Sequence, residues 1–427
     1  MDLSRVATGA PWEARGIVAA RVARPADAEE VARLLAECAE GGKTVLPVGG
    51  GTALASGGLP TGACGLALVL DGVSGVVEHA PDDLTLTARA GTSFEEVRRV
   101  VGACGQRLPG LPAGPGTLGG LVASGWTAAT AREVHGALRE RVIGSQVAES
   151  AGRLTRSGGR VVKNVTGYDL HRMHAGAGGA LGVLTELAFR LEPLPERLWE
   201  VSLDAPSWSA AQEAWLWLAR FGPETSFCLA RAGEEGEPVL TARIEGDEEP
   251  AREGAAGLAH GWGSFGSAHA RELEPRDDGD DAGADPVTPE RAIGPARARL
   301  TLRTRPSRAL SLFEETRLEV LVRGLALDAA CLPRAGEIRL ALAGRAGEVA
   351  VFVRDLAAAA ARGGPAYRVE DEWPALPPDL PRWSADPAAL RLLARVKRAL
   401  DPAGILRPGS YSAAALERAA AFFEAPS

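Results

Sequence analysis

Gly158-Gly159-Arg160-Val161-Val162-Lys163-Asn164-Val165-Thr166-Gly167-Tyr168-Asp169-Leu170 is the most informative stretch of this 427-residue chain. Asn164 is its only asparagine, Lys163 one of three lysines and Tyr168 one of three tyrosines. Elsewhere arginine supplies nearly all the basic side chains and alanine is abundant, as expected of a genome drifting against A-rich codons. A Lys-Asn pair that survives such drift resists replacement. Arginine cannot imitate a compact ammonium, and few side chains both donate and accept as an amide does. The alternative is that three lysines escaped the drift by chance. The other two, Lys43 and Lys397, each lie beside a further Gly/Pro-rich segment.

Length and charge bound the rest. A chain of 427 residues exceeds one ordinary core, so two or three domains are expected. The formal net charge of −8 argues against nucleic acid or an anionic membrane surface as main partner. No run reaches the ~20 apolar residues of a spanning helix. Met1 to Pro11 has no apolar core of a secretory signal, and a cytoplasmic setting is expected, with membrane association only through a partner. Five cysteines, far apart and without a Cys-x-x-Cys pair, suggest neither a zinc nor an iron–sulfur site, and no metal is expected.

Residues 14–195 read as alternating short strands and helices. Helices are expected over Pro25 to Glu40 and from Ser93 to about Cys104, the latter opened by a capping box. Strands are expected at Thr44 to Val48, Leu84 to Ala90, Arg160 to Val162 and Val183 to Leu191. A second region, 196–390, begins with an amphipathic helix at Trp208 to Phe221. Gly246 to Ala298, rich in Gly, Ala, Asp, Glu and Pro, reads as a mobile insertion. Beyond it come strands at Arg299 to Arg303, Glu337 to Leu342 and Val349 to Val353, then a helix at Arg354 to Ala361. A basic helix, Pro387 to Leu400, leads into a last segment, 391–427. No internal repeat is visible.

Two glycine-rich segments could carry chemistry. Pro47-Val48-Gly49-Gly50-Gly51-Thr52 follows a strand and can turn successive N–H groups toward a phosphate, or be a tight turn. It has neither the Rossmann nor the Walker spacing. Gly116-Thr117-Leu118-Gly119-Gly120, running on to Ser124, offers hydroxyls among small residues, or is a small-residue helix packed on a neighbour. Two such loops in one domain suggest a dinucleotide stretched between them.

In this order, and followed by Leu181-Gly182-Val183-Leu184-Thr185-Glu186, these segments resemble the FAD-binding domain of the vanillyl-alcohol oxidase / p-cresol methylhydroxylase (PCMH) flavoproteins. Gly158 to Asn164 and the closing Asp401-Pro402-Ala403-Gly404-Ile405-Leu406-Arg407-Pro408-Gly409 most resemble the FAD-binding E subunits of glycolate oxidases. The resemblance implies an α+β protein. Its PCMH-type domain would have two α/β subdomains, joined by a smaller α+β cap and a C-terminal return to the FAD domain. It implies noncovalent FAD, since no histidine follows the first glycine run. Pro47 to Thr52, Gly116 to Gly120 and Ser124 would hold the pyrophosphate and ribityl, and Gly182-Val183 the adenine side. Lys163, Asn164, Tyr168 and Asp169 would lie near the cofactor, as would Arg407. Two departures weaken the pattern. Gly176-Ala177-Gly178-Gly179-Ala180-Leu181-Gly182 lacks two usual hydroxyls, and Arg407 stands where the family has asparagine.

The resemblance also makes an absence informative. Stand-alone 2-hydroxyacid dehydrogenases of this superfamily carry a His-x-Gly-Asp-Gly-Asn-x-His cluster, and this chain has none, its last histidine being His269. Oxidation of an alcohol needs a base, most often histidine. His171 and His174 read as packing or surface residues, and Arg299, Arg303 and Arg339 as structural arginines that could clamp a carboxylate. No catalytic residue is named. The expected protein is an FAD-holding subunit with a sister flavin subunit and an iron–sulfur subunit as partners. The rivals are a self-sufficient hydroxyacid or alcohol oxidoreductase and a flavin-free structural subunit.

Overall fold

Capping side chains set where the N-terminal helices begin. The computed structural model describes residues 7–8, 12–14, 17–54, 64–112, 114–126, 138–159, 168–232, 236–273, 275, 296–373, 377, 380, 382–409 and 411–424. Strand β1 (Ile17–Ala23) leads to helix α1 (Ala28–Glu40). The helix starts three residues after Pro25 because Asp27 caps it, accepting the Glu30 N–H at 2.8 Å. Its buried stripe is the expected one, with Val31, Leu34, Leu35 and Cys38. Strands β2 (Val45–Val48) and β1 both pair parallel with β3 (Cys64–Val69), and Ala7–Thr8 and Trp12–Ala14 extend this sheet beyond β1.

A second, antiparallel sheet holds β4 (Val76–Ala80), β5 (Thr85–Arg89), β6 (Val142–Ala148), β7 (Leu154–Gly158) and β8 (Val183–Arg190), in the order β7-β6-β8-β5-β4. Between β5 and β6 lie α2 (Phe94–Gly102) and α3 (Leu118–Ser124). Ser93 caps α2 by accepting the Glu96 N–H at 3.2 Å. The strand expected at Arg160 to Val162 and the Lys163-Asn164 pair lie outside the described residues.

The third layer is an eight-stranded sheet whose helices cover one face. Its first half runs β9 (Arg197–Asp204), α4 (Trp208–Phe221), β10 (Phe227–Ala232), β11 (Pro238–Gly246), α5 (Glu248–Trp262), β12 (Ser267–Leu273). The second half runs β13 (Ala296–Arg303), α6 (Ala309–Val322), β14 (Ala326–Leu332), β15 (Glu337–Gly344), α7 (Ala346–Ala361), β16 (Ala366–Trp373). The strand order β12-β9-β11-β10-β14-β15-β13-β16 makes each half a split βαβ unit, and the two join through Ala230–Cys331 and Arg231–Ala330. The layer therefore repeats one topology, although no repeat is visible in the sequence. What repeats is topology rather than sequence: Arg197-Leu198-Trp199-Glu200 and Ala296-Arg297-Ala298-Arg299 open equivalent strands without a shared residue.

Two expectations for this region are corrected. Val349 to Val353 is part of α7, not a strand. The buried Val349, Ala350, Val353, Leu356 and Ala357 recur at helical spacing, and the valine-rich run disguised it. Nor is Gly246 to Ala298 a structureless insertion over its described length. Residues 248–262 are a helix that buries Ala251, Ala255, Leu258 and Trp262, and 267–273 pair with β9.

Helix α8 (Pro387–Leu400), capped by Asp386, packs on α9 (Ala413–Glu424) through Leu390, Ala394, Leu416 and Ala420. Between them the chain returns to the first sheet. Val45 N–H donates to the Ile405 carbonyl at 2.7 Å and Arg407 N–H to the Val45 carbonyl at 2.8 Å. Among the described residues, no helix is long and apolar enough to cross a membrane.

Candidate functional site

The ends of β2, α3 and β8 meet in one cleft. Pro47, Gly49, Gly50, Gly51, Thr52, Thr117, Gly119, Gly120, Ser124, Gly182, Val183 and Arg407 all line it. The two glycine segments touch here because neither has side chains to hold them apart. A Cβ on Gly49 would stand 2.2 Å from the Thr117 hydroxyl oxygen, and one on Gly50 2.9 Å from the Gly116 Cα. The Thr117 hydroxyl oxygen accepts from the N–H of Gly50 at 3.3 Å and of Gly120 at 3.4 Å, so it links the loops and caps α3. The second segment is thus both things its composition allowed, a packed small-residue helix and a cleft wall.

Other sequence candidates fall outside the cleft. Val48 and Leu118 are buried in the cores behind it, and Gly116 packs against the Phe94 ring. Tyr168 is 87 % exposed, and Asp169 pairs with Arg172 at 3.6 Å. Lys163 and Asn164 are not among the described residues.

Several lining residues were not anticipated, among them Leu54, His174, Gly178 and Gly179. Gly178 and Gly179 have φ of 62° and 79°, left-handed values that favour glycine, which lets residues 173–183 fold as a strap with two faces. Ala177 and Ala180 point the other way. They line a second cavity of about 350 Å³ together with Tyr367, Arg368, Trp383, Lys397 and Tyr411. The two missing hydroxyls therefore change that cavity and leave the glycine cleft as it is.

Arg407 replaces the family's asparagine at some backbone cost. Its φ is 43°, a left-handed conformation that asparagine tolerates better and that strains other residues by about 1 kcal/mol or more. The side chain compensates. Its guanidinium donates to the carbonyls of Leu54 at 2.9 Å and Gly178 at 3.3 Å, and lies over the Tyr411 ring at 5.1 Å. Burial pushes its pKa down from the usual guanidinium value.

His174 is buried in the cleft wall, and burial lowers its pKa from 6.5 to about 4, with Glu149 opposing the shift. Its Nδ1 meets no hydrogen-bond partner among the described residues. Between pH 6.5 and about 4 the unfolded chain takes up a proton that the folded chain refuses. Stability is full above 6.5 and falls as the pH drops through that window. His171, also lowered by burial, acts in the same direction. The denaturation midpoint should therefore fall more between pH 7 and pH 5 in the wild type than in His174→Gln. Parallel losses in both proteins would contradict the assignment.

The cleft suits a diphosphate. Among the described residues no acceptor meets the N–H of Gly49 or Gly51, and the Arg407 guanidinium stands in the wall. Backbone amides left without a protein acceptor, beside a cation, suit a pyrophosphate. Residues 19–158 match the family model described as FAD binding domain. Residues 19–158 are thus similar to an FAD binding domain, and the cofactor is FAD. The glycolate oxidase subunit GlcE of Escherichia coli is 34 % identical over 187 residues, covering 42 % of this chain and 53 % of that subunit. The glycolate oxidase subunit GlcD of Bacillus subtilis is 33 % identical over 177 residues, covering 41 % of this chain and 37 % of that subunit. The chain thus spans about half, or less, of these curated relatives. An alkyldihydroxyacetonephosphate synthase structure aligns over 92 % of this chain and 76 % of its own, with a TM-score of 0.67 and 13 % identity, a likeness of fold. The architecture is the PCMH-type α+β fold.

The eight-stranded sheet packs against the N-terminal part of the chain. Arg107 pairs with Glu245 at 2.5 Å, Arg339 lies over the Trp126 ring at 5.6 Å, and Arg368 donates to the Ser124 carbonyl at 2.5 Å. Arg339 and Arg303 also pair with Glu337, at 3.0 and 3.4 Å. Of the arginines considered as carboxylate clamps, these two are held in ion pairs. Among the described residues no group of His, Cys, Asp or Glu could hold a metal ion.

Proposed function

We propose that this chain is the FAD-holding subunit of a 2-hydroxyacid oxidoreductase complex of the glycolate oxidase type, passing electrons or supporting assembly. The observation that carries the reading is the single cleft built by both glycine loops and Arg407, in a chain similar over 187 residues to GlcE. When bound, FAD supplies two-electron oxidation of the substrate's C–H bond. The chain supplies amides and a guanidinium for the cofactor's phosphates.

A substrate-oxidising site also needs a base poised near the working pH. Among the described residues, the histidine that lines the cleft, His174, is held far below it by burial, and His79, His171, His260 and His269 line neither cavity. This supports a division of labour in which a sister flavin subunit supplies the base and an iron–sulfur subunit accepts electrons. The purified chain with an artificial acceptor should turn over glycolate, lactate and 2-hydroxyglutarate negligibly. Turnover should appear when both partner subunits are added. Robust turnover by the chain alone would favour a self-sufficient oxidoreductase.

A further inference from the structure

Lys397 is 3 % exposed, near the end of α8, and its ammonium has three acceptors. Nζ donates to the Ala180 carbonyl at 2.7 Å, the Leu406 carbonyl at 2.9 Å and Asp401 Oδ2 at 2.6 Å. Asp401 in turn accepts the N–H of Ile405 at 3.1 Å and of Leu406 at 2.9 Å. One buried ion pair thus ties three pieces of chain together: the glycine strap, the end of α8 and the turn from Asp401 to Arg407.

Lys397 does not line the FAD cleft, yet both segments it grips do. Gly178, Gly179 and Gly182 flank Ala180, and Arg407 follows Leu406. Arg407 holds a left-handed backbone that an arginine does not choose, and Arg407 N–H is paired to Val45, the first residue of the strand that runs into Gly49. Something must hold the turn in that shape, and the Lys397–Asp401 pair grips it one residue away.

We propose that Lys397, acting with Asp401, is a positioning residue for FAD, setting the Arg407 guanidinium and the Gly178–Gly182 wall at the spacing the cofactor needs. The geometry also accounts for a lysine in a chain where 44 of the 47 Lys and Arg residues are arginine. Three acceptors converge on a single nitrogen. A tetrahedral ammonium meets them from one point, whereas a planar guanidinium spreads its donors over a fork and needs more room.

The inference rests on FAD being the ligand of the cleft, and the test separates the two. Apoprotein is titrated with FAD by flavin fluorescence, and the visible circular dichroism of the bound flavin is recorded. The proteins are wild type, Lys397→Met, Lys397→Arg, Asp401→Asn and a control, Leu390→Ala. Leu390 lies on the same helix, is 2 % exposed, and packs in the cluster of Leu416 and Ala420. Both Lys397 variants should weaken FAD binding by about tenfold or more, as expected for loss of charged hydrogen bonds, and arginine should not rescue. The flavin dichroism should change in Asp401→Asn, which keeps the side-chain size and decides the matter if the Lys397 variants do not fold. Leu390→Ala should lower thermal stability while leaving FAD affinity and dichroism close to wild type. Two results overturn the proposal: folded variants that bind FAD like wild type with the same dichroism, or a control that loses FAD as they do. Wild-type apoprotein that takes up no FAD would instead remove the reading beneath it.

Discussion

Gly50→Val should purify with little or no FAD while keeping most of its secondary structure. The reason lies in what surrounds the missing Cβ. It would meet the Gly116 Cα at 2.9 Å, the Gly116 carbonyl carbon at 3.3 Å and the Thr117 nitrogen at 3.5 Å. These are backbone atoms of the opposing loop and cannot swing aside as a side chain could. The branched valine must push the loops apart, breaking the hydrogen bond from Gly50 to Thr117 and spreading the amides of the cleft. Misplacement of this kind should cost about a hundredfold or more in FAD affinity, equivalent to about 3 kcal/mol. Gly50 itself is exposed at the loop tip, so the cores behind it should survive. Gly119→Val should behave differently. Its Cβ would come within 2.8 Å of the Ala90 Cβ and 3.0 Å of the Ala90 carbonyl, so loss of fold should accompany loss of cofactor. Flavin absorbance per chain, read beside far-ultraviolet circular dichroism, measures both effects. Full flavin occupancy in Gly50→Val would mean that the loops are ordinary turns.

Trp262→Ala should destabilise the third layer by about 3–5 kcal/mol, the usual cost of emptying a large aromatic site in a packed core. Trp262 is fully buried at the end of α5, and its Nε1 donates to the Ala214 carbonyl on α4 at 3.2 Å. The indole therefore fastens one helix of the layer to another as well as filling space. Urea denaturation followed by near-ultraviolet circular dichroism should show an earlier transition of that layer. A shift worth less than about 1 kcal/mol would return this segment to the status of a mobile insertion.

Trp262 also illustrates what the sequence hid. Helix α5 buries only Ala251, Ala255, Leu258 and Trp262, a stripe spaced four, three and four residues apart but made largely of alanine. Amid glycine and acidic residues, that low apolar content passed for an insertion. The repeated topology of the third layer was hidden for a related reason. A split βαβ unit constrains the alternation of strands and helices far more than the identity of any residue. Helices with strong caps and clear stripes were legible almost to the residue, as at Trp208–Phe221 and Pro387–Leu400.

The cleft was legible where glycine was the signal, because close backbone approach demands glycine whatever the surroundings. It was not legible where a residue contributes by position in the fold. His174 looks like any packing histidine until Val183 and Gly182 are seen beside it. Ala177 and Ala180, read as departures from the cofactor pattern, line the second cavity and not the glycine cleft. Tyr168, singled out for its rarity, projects into solvent instead.

The most direct test of the central claim is the visible spectrum of the purified chain, recorded under exclusion of oxygen before and after adding glycolate, lactate and 2-hydroxyglutarate. The chain should show the absorption bands of FAD, and acid precipitation should release all of it into the supernatant. Those bands should not bleach with any of the three acids until a histidine-bearing flavin subunit and an iron–sulfur subunit are present. A colourless protein that takes up no FAD, or rapid bleaching by a hydroxy acid in the chain alone, would contradict the account.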